Sequence, residues 1–189
     1  MRALAVRLAG LVVIQPTVHD DERGFFTETY RHNWHGELGI PPQRQFVQDN
    51  HSRSSYGVVR GMHFQVGDGI AKLVRCARGR VMDVAVDLRR GSPTYGQWEA
   101  VELDDKSMRE LYVPVGFAHG FCVLSSTADV LYKQTGYYDP DLERTIAWND
   151  PDVGIEWPLP DDELTISERD AQAPRLSEIA DQLPFQWHP

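Results

Sequence analysis

The 189-residue sequence predicts an all-β protein, a sandwich or barrel of antiparallel strands, and three observations carry that expectation. Short apolar runs recur along the chain at the spacing of small strands. The stretch from Arg80 to Leu88 alternates with a period of two, Met82, Val84, Val86 and Leu88 standing between Val81, Asp83, Ala85 and Asp87. Turn-forming residues separate the runs: Gly79, Gly91-Ser92-Pro93, Asp104-Asp105-Lys106 and Ser125-Ser126-Thr127. A composition of 41% hydrophobic and 25% charged residues suits one globular domain over residues 1–189, long enough to build its own core.

Taken in order, Leu11 to Ile14 is a first strand, stopped by Pro16. Asp20 to Gly24 is a polar turn, and the aromatic and β-branched run Phe25 to Tyr30 is strand-like. His32 to Leu38 fits a short helix closed by Gly39 and the Pro41-Pro42 pair. Phe46 to Ser52 leads into Gly57-Val58-Val59-Arg60-Gly61-Met62-His63-Phe64-Gln65. Ala71 to Arg78 and Arg80 to Leu88 are two strands joined at Gly79. Trp98 to Leu103, Glu110 to Val115, Gly120 to Leu124 and Val130 to Tyr138 complete the strands. The tail is richer in proline and acid, with one short helix expected from Ser177 to Leu183.

A net charge of −9 argues against nucleic acid or an anionic membrane as a partner, although a local group of Arg and Lys would still hold a small anion. No apolar run is long enough to span a bilayer, and charge interrupts the N-terminus too often for a secretory signal, so a cytoplasmic location is expected. Cys76 and Cys122 both lie in apolar runs, which predicts buried reduced thiols.

The chemistry centres on Gly57 to Gln65. As a strand, it sets His63 and Gln65 on one face with Gly61, and Met62 and Phe64 on the other. Gly61 leaves room beside His63, a side chain suited to exchanging protons near neutral pH, and Arg60 offers a guanidinium for an anionic group. Taken alone, these two residues read more readily as an edge-strand histidine and a solvated arginine than as a site. Three further segments add to them. Pro114 to Phe121 carries His119 in a glycine-rich aromatic setting. Val130 to Gln134 puts Tyr132 on one face with Val130 and Gln134. Ile166 to Asp170 sits far away in an irregular tail.

With Arg23-Gly24-Phe25-Phe26-Thr27-Glu28, Arg60 to Gln65, Pro114 to Phe121 and Asp170, the chain closely resembles the dTDP-4-dehydrorhamnose 3,5-epimerase family over nearly its whole length. Met62 stands where leucine or isoleucine is usual, a volume-conserving change. The resemblance implies a cupin-like antiparallel jelly-roll β-sandwich with a few short peripheral helices. It also implies inversion of C3 and C5 of dTDP-4-dehydro-6-deoxyglucose to give dTDP-4-dehydro-L-rhamnose, without a cofactor or metal. Both carbons flank the C4 ketone, so the reaction needs a base, an acid on the opposite face and a donor at the enolate oxygen.

By the same resemblance, His63 matches the base, Tyr132 the proton-returning acid, Asp170 the carboxylate that orients His63, and Lys72 the group at the enolate oxygen. Asp83 and Asp87 are rivals for the orienting role. Arg60 matches a diphosphate contact, and Arg23, Phe26, Glu28, Gln48, Asn50, His119, Glu143 and Arg169 match other substrate-binding positions. Tyr138 matches the aromatic residue that stacks on the thymine. The family forms a homodimer in which the Arg23 to Glu28 segment reaches across to the partner's site. Other readings are a mono-epimerase acting at C3 or C5 alone in antibiotic-sugar synthesis, a metal-dependent cupin, and a non-catalytic sugar-binding jelly roll. Pro114-x-Gly116-x-x-His119 looks like half of a cupin metal motif, but Phe64 and Gln65 follow His63 where a second ligand histidine is usual, leaving too few ligands. Tyr132 and the Phe25-Phe26 pair favour double epimerisation.

Overall fold

The computed structural model describes residues 1–40 and 45–188. Its strands in chain order are β1 (Arg2–Leu4), β2 (Val12–Gln15), β3 (Val18–Asp21), β4 (Gly24–Thr27), β5 (Gln48–Ser55), β6 (Val58–Gln65), β7 (Lys72–Arg78) and β8 (Arg80–Asp87). They continue with β9 (Trp98–Asp104), β10 (Glu110–Val113), β11 (Phe117–Val123), β12 (Thr127–Gln134), β13 (Glu143–Thr145) and β14 (Thr165–Ile166). Three short α-helices, α1 (His35–Leu38), α2 (Glu168–Ala171) and α3 (Leu176–Ile179), lie at the periphery with a few 3₁₀ turns.

Two six-stranded sheets form the sandwich. The first runs β1-β2-β10-β7-β12-β5. The second runs β13-β6-β11-β8-β9, with β14 added in parallel to β6. This is the jelly roll that the family resemblance implies. Its main core lies between the sheets, where Val13, Val74, Leu111 and Val130 of the first meet Val81, Ala85, Leu103 and Phe121 of the second.

The alternation in β8 has a physical reason beyond that of a half-exposed strand: both of its faces are buried. Val81 and Ala85 enter the main core, whereas Val84, Val86 and Leu88 pack in a second core under the tail, against Ile146, Val153, Leu176 and Leu183. The tail is thus a cover for the outer face of the second sheet. The expected helix from Ser177 to Leu183 is α3 continued by a 3₁₀ turn at Ala180–Gln182. A smaller cluster, with Ile14, Leu38, Leu73 and Tyr112, covers part of the first sheet's outer face.

The N-terminal region departs from expectation. The polar turn expected at Asp20 to Gly24 is the tip of a hairpin, because β3 takes in Asp20 and Asp21 and pairs with β4 as a separate two-stranded sheet. β3 escapes a sequence reading because its residues are half-buried or exposed and so show no apolar alternation. β4 ends at Thr27 rather than Tyr30. Pro41 and Pro42, the expected helix stop, lie outside the described residues. Cys76 and Cys122 are free and buried. Among the described residues, no helix is long and apolar enough to cross a membrane.

Candidate active site

The site begins with an irregularity between β6 and β11. His63 pairs with His119 and Arg60 with Phe121, so three steps along β6 face two along β11. Such a bulge re-aims side chains. Strict alternation would set Arg60 on the side of Met62 and Phe64, yet Arg60 and His63 line one cleft of about 370 Å³. Met62 and Phe64 keep to the opposite face, in the second core. The close approach is made by glycine. A Cβ on Gly61 would lie 2.5 Å from the Gly120 Cα and 2.9 Å from the His119 carbonyl oxygen, at a φ of +135° that side chains rarely adopt. The space predicted beside His63 is thus filled by the neighbouring strand.

Two histidines sit side by side across these strands, each with its own carboxylate. His63 Nε2 lies 2.7 Å from Asp170 Oδ1. A carboxylate can only accept, so Nε2 carries a proton, which leaves Nδ1 as the ring nitrogen that can act as a base. Asp170 comes from α2, whose N-cap Ser167 accepts from the Asp170 backbone N–H at 3.1 Å. The Gly61 N–H donates to Asp170 Oδ2 at 3.4 Å. Burial pushes the Asp170 carboxyl up, but the hydrogen bond and charge of His63 outweigh it and hold the group below its ordinary value.

His119 Nε2 lies 2.8 Å from Asp83 Oδ1. Asp83 therefore belongs to His119, and it does not orient His63. Asp87 is engaged by Arg89, Ser92 and Thr94. Sequence periodicity gave the face of these two acids correctly but not their partners, which depend on cross-strand register.

Exposure separates the two pairs. The His63 side chain is 26% exposed, whereas His119 is 7% and Asp83 fully buried. A base that trades protons with water needs the first environment. The second holds a neutral ring: burial lowers the His119 pKa, and the nearby Lys72 and His63 add to this against the raising effect of Asp83.

The first sheet supplies the facing groups. Tyr132 on β12 packs against the main core, and burial, with Glu143 adding to it, raises its phenol, so the proton stays on at neutral pH. Lys72 on β7 has its ammonium 5.9 Å from the Tyr132 ring centroid. Lys72 is half-buried, and burial pushes its pKa down to about 8 against the pull of Asp83 and Glu143.

A polar ladder lines the nearby end of β5. Gln48 and Asn50 both donate to Gln134 Oε1, at 3.2 and 2.7 Å, and Gln48 Oε1 accepts from the Tyr138 N–H at 2.9 Å. The Tyr138 hydroxyl donates to Glu143 at 3.1 Å, and Arg169 pairs with the same carboxylate at 2.5 Å. Arg60 donates to Ser54 Oγ at 2.9 Å. Among the described residues, Arg23, Phe26 and Glu28 make no contact that joins them to this group. Arg23 pairs with Asp21, Glu28 with Arg31, and Phe26 is 69% exposed.

The dTDP-4-dehydrorhamnose 3,5-epimerase family profile matches residues 5–178. The chain belongs to this family. The dTDP-4-dehydrorhamnose 3,5-epimerase of Pseudomonas aeruginosa is 49% identical over 172 residues, 91% of this chain and 94% of that protein. The Salmonella typhimurium enzyme of the same name is 48% identical over 182 residues, 94% of this chain and 97% of that protein. Among solved structures, the Legionella pneumophila dTDP-6-deoxy-D-glucose-3,5-epimerase in complex with dTDP-4-keto-L-rhamnose superimposes with a TM-score of 0.94 at 43% identity. That match covers 100% of this chain and 99% of the other.

Members of the 3,5-epimerase family are isomerases, and this chain is one of them. Within its site, sequence reading missed Ser167, Ser54, Gln134 as the hub of the polar ladder, and Asp83 as the partner of His119. Ser167 carried a usable signal, since Ser-x-x-Asp is a helix-start pattern and fixes where Asp170 sits. Among the described residues, no three or more His, Cys, Asp or Glu side chains gather in a way that could hold a metal ion.

Proposed function

We propose that this protein inverts C3 and C5 of dTDP-4-dehydro-6-deoxyglucose to give dTDP-4-dehydro-L-rhamnose, through one catalytic domain spanning residues 1–189. One observation carries the mechanism. His63 and Tyr132 belong to opposite sheets of the sandwich and both turn towards its interior. A sugar ring between them meets a base on one face and a phenol on the other, the arrangement that inversion requires. His63 Nδ1 takes the proton from the carbon beside the ketone, and the carbanion delocalises onto the C4 oxygen. Lys72 donates to that oxygen as charge develops. Tyr132 then returns a proton to the opposite face. Asp170 stabilises the imidazolium that forms between the two steps.

At the nucleotide end, Arg60 and Arg169 offer cations to the diphosphate, with Gln48, Asn50 and Glu143 as polar contacts and Tyr138 as the thymine stacker, while His119 is a substrate contact on the side of His63 and Lys72. Arg23, Phe26 and Glu28 act in the site of a second copy of the chain. The hairpin that carries them lies outside both sheets and leaves Phe25 and Phe26 59% and 69% exposed, which supports this reading. Two free, buried thiols suit a reducing cytoplasm.

The test is proton NMR of the keto sugar in deuterium oxide with purified enzyme. Deuterium is expected at both C3 and C5, with the L-rhamno product formed. Exchange at one carbon alone would make the protein a mono-epimerase, and no exchange would leave a sugar-binding jelly roll.

A further inference from the structure

The second histidine–carboxylate pair is more than a structural filler. We infer that Asp83 is a positioning residue for the electrophilic side of the site, one carboxylate that fixes the tautomer of His119 and keeps Lys72 protonated for the ketone oxygen. The statement about the ketone rests on the epimerase reading above. The coupling between Asp83 and Lys72 does not.

The geometry that supports this is specific. Asp83 projects from β8 into the sandwich and is fully buried. One oxygen, Oδ1, accepts from His119 Nε2 at 2.8 Å. The other, Oδ2, is buried and meets no hydrogen-bond donor among the described residues. A buried carboxylate oxygen left in this way is costly unless positive charge lies nearby. Lys72 on the facing sheet brings positive charge within electrostatic reach of Asp83, with no direct hydrogen bond to that oxygen. Asp83 and Glu143 are the two carboxylates that favour its charged form, with Asp83 the stronger of the two. Asp87, on the same face of β8, cannot stand in, because Arg89, Ser92 and Thr94 occupy its oxygens.

The chemical need is equally specific. Burial has already brought Lys72 down to about 8, so the ammonium survives at neutral pH by a narrow margin. A neutral amine stabilises an enolate oxygen far less than an ammonium does. Removing the Asp83 charge removes the largest opposing influence and lets Lys72 lose its proton within the working range. His119 cannot replace that charge, since its ring is held neutral with Nε2–H committed to Asp83. The other titratable groups facing this pair are Glu143, His63 and Tyr132, which stay in place when Asp83 alone is changed.

Lys72, Lys106 and Lys133 are the three lysines of the chain, so the ammonium can be watched directly. In protein labelled at the lysine side chain, NMR titration follows Lys72 in the resting wild type, with Lys72→Arg used to assign its signal. Asp83→Asn is expected to lower its midpoint by about one unit or more, the usual effect of losing a close opposite charge. Asp83→Glu, which keeps the charge, is expected to recover most of that shift and guards against a folding defect in the amide variant. The alkaline limb of kcat/KM should move to lower pH by the same amount in Asp83→Asn, with dTDP affinity changed less than about threefold. An unmoved Lys72 midpoint overturns the proposal. A moved midpoint with an unmoved rate profile overturns the placement of Lys72 at the ketone. Deuterium exchange by the wild-type enzyme judges the epimerase reading separately.

Discussion

A histidine that carries protons between carbon and water needs a free lone pair, a stabilised cation and access to solvent. His63 has the three together, through Nδ1, Asp170 and its position at the cleft. His63→Asn should therefore lower turnover by roughly 10² to 10⁴-fold while dTDP still binds, as calorimetry would show. Activity within a few-fold of wild type would place the base elsewhere. Tyr132→Phe separates the two faces of the reaction. His63 can exchange its captured proton with water and return a deuteron to the face it came from. Washout at C3 and C5 is thus expected to persist in the phenylalanine variant while net inversion falls. Equal loss of both in deuterium oxide would show that the Tyr132 hydroxyl is needed for proton removal as well. These residues were legible because His63, Tyr132 and Asp170 occur within recognisable family segments. Asp83 was legible only as a residue on the right face, because pairing it with His119 requires knowing how β8 and β11 are aligned.

At the scale of elements, the bulge between β6 and β11 decides which side chains meet. Two glycines allow it, and Gly120 is the more telling because its requirement is space alone. A Cβ there would lie 2.6 Å from Met62 Sδ and 2.7 Å from the Arg60 carbonyl oxygen, and the backbone atom cannot swing aside. Gly120→Ala should lower stability by about 1–3 kcal/mol, the usual range for overpacking, and reduce kcat because Arg60 and His63 shift together. Gly36 in α1 is the control, since a Cβ there meets nothing within 4 Å. Gly36→Ala should leave the melting temperature unchanged or slightly raised. Denaturant unfolding of both variants checks the contrast, and equal effects would remove the argument from space. The alternation of β8 announced a strand but concealed its second buried face, since the covering tail shows no strong periodicity of its own. β3 and β14 were illegible for a related reason: short, largely polar strands are fixed by the partner they meet.

The whole molecule poses an electrostatic problem, because a chain of net charge −9 must attract a nucleotide diphosphate. Local cations solve it in part: Arg60 and Arg169 line one cleft, and Lys72 lies within electrostatic reach of Glu143, the partner of Arg169. Arg23 is the remaining cation of the expected set, and within its own chain it is tied to Asp21 on an exposed hairpin. If that hairpin completes the neighbouring subunit's site, each active site draws on two chains, and this can be tested by mixing. His63→Asn damages the site of the chain that carries it. Arg23→Ala, combined with Phe26→Ala, damages the site of the partner. Each double-chain assembly formed from one of each then contains one site with every defect and one with none. Mixed by unfolding and refolding at equal amounts, the two inactive proteins should recover about one quarter of the wild-type activity, the statistical share of intact sites under random pairing. Recovery should rise with subunit exchange time and vanish at dilutions that give monomers. If Arg23 and Phe26 served their own chain, every site in the mixture would carry a defect, and no activity above the separate variants would return.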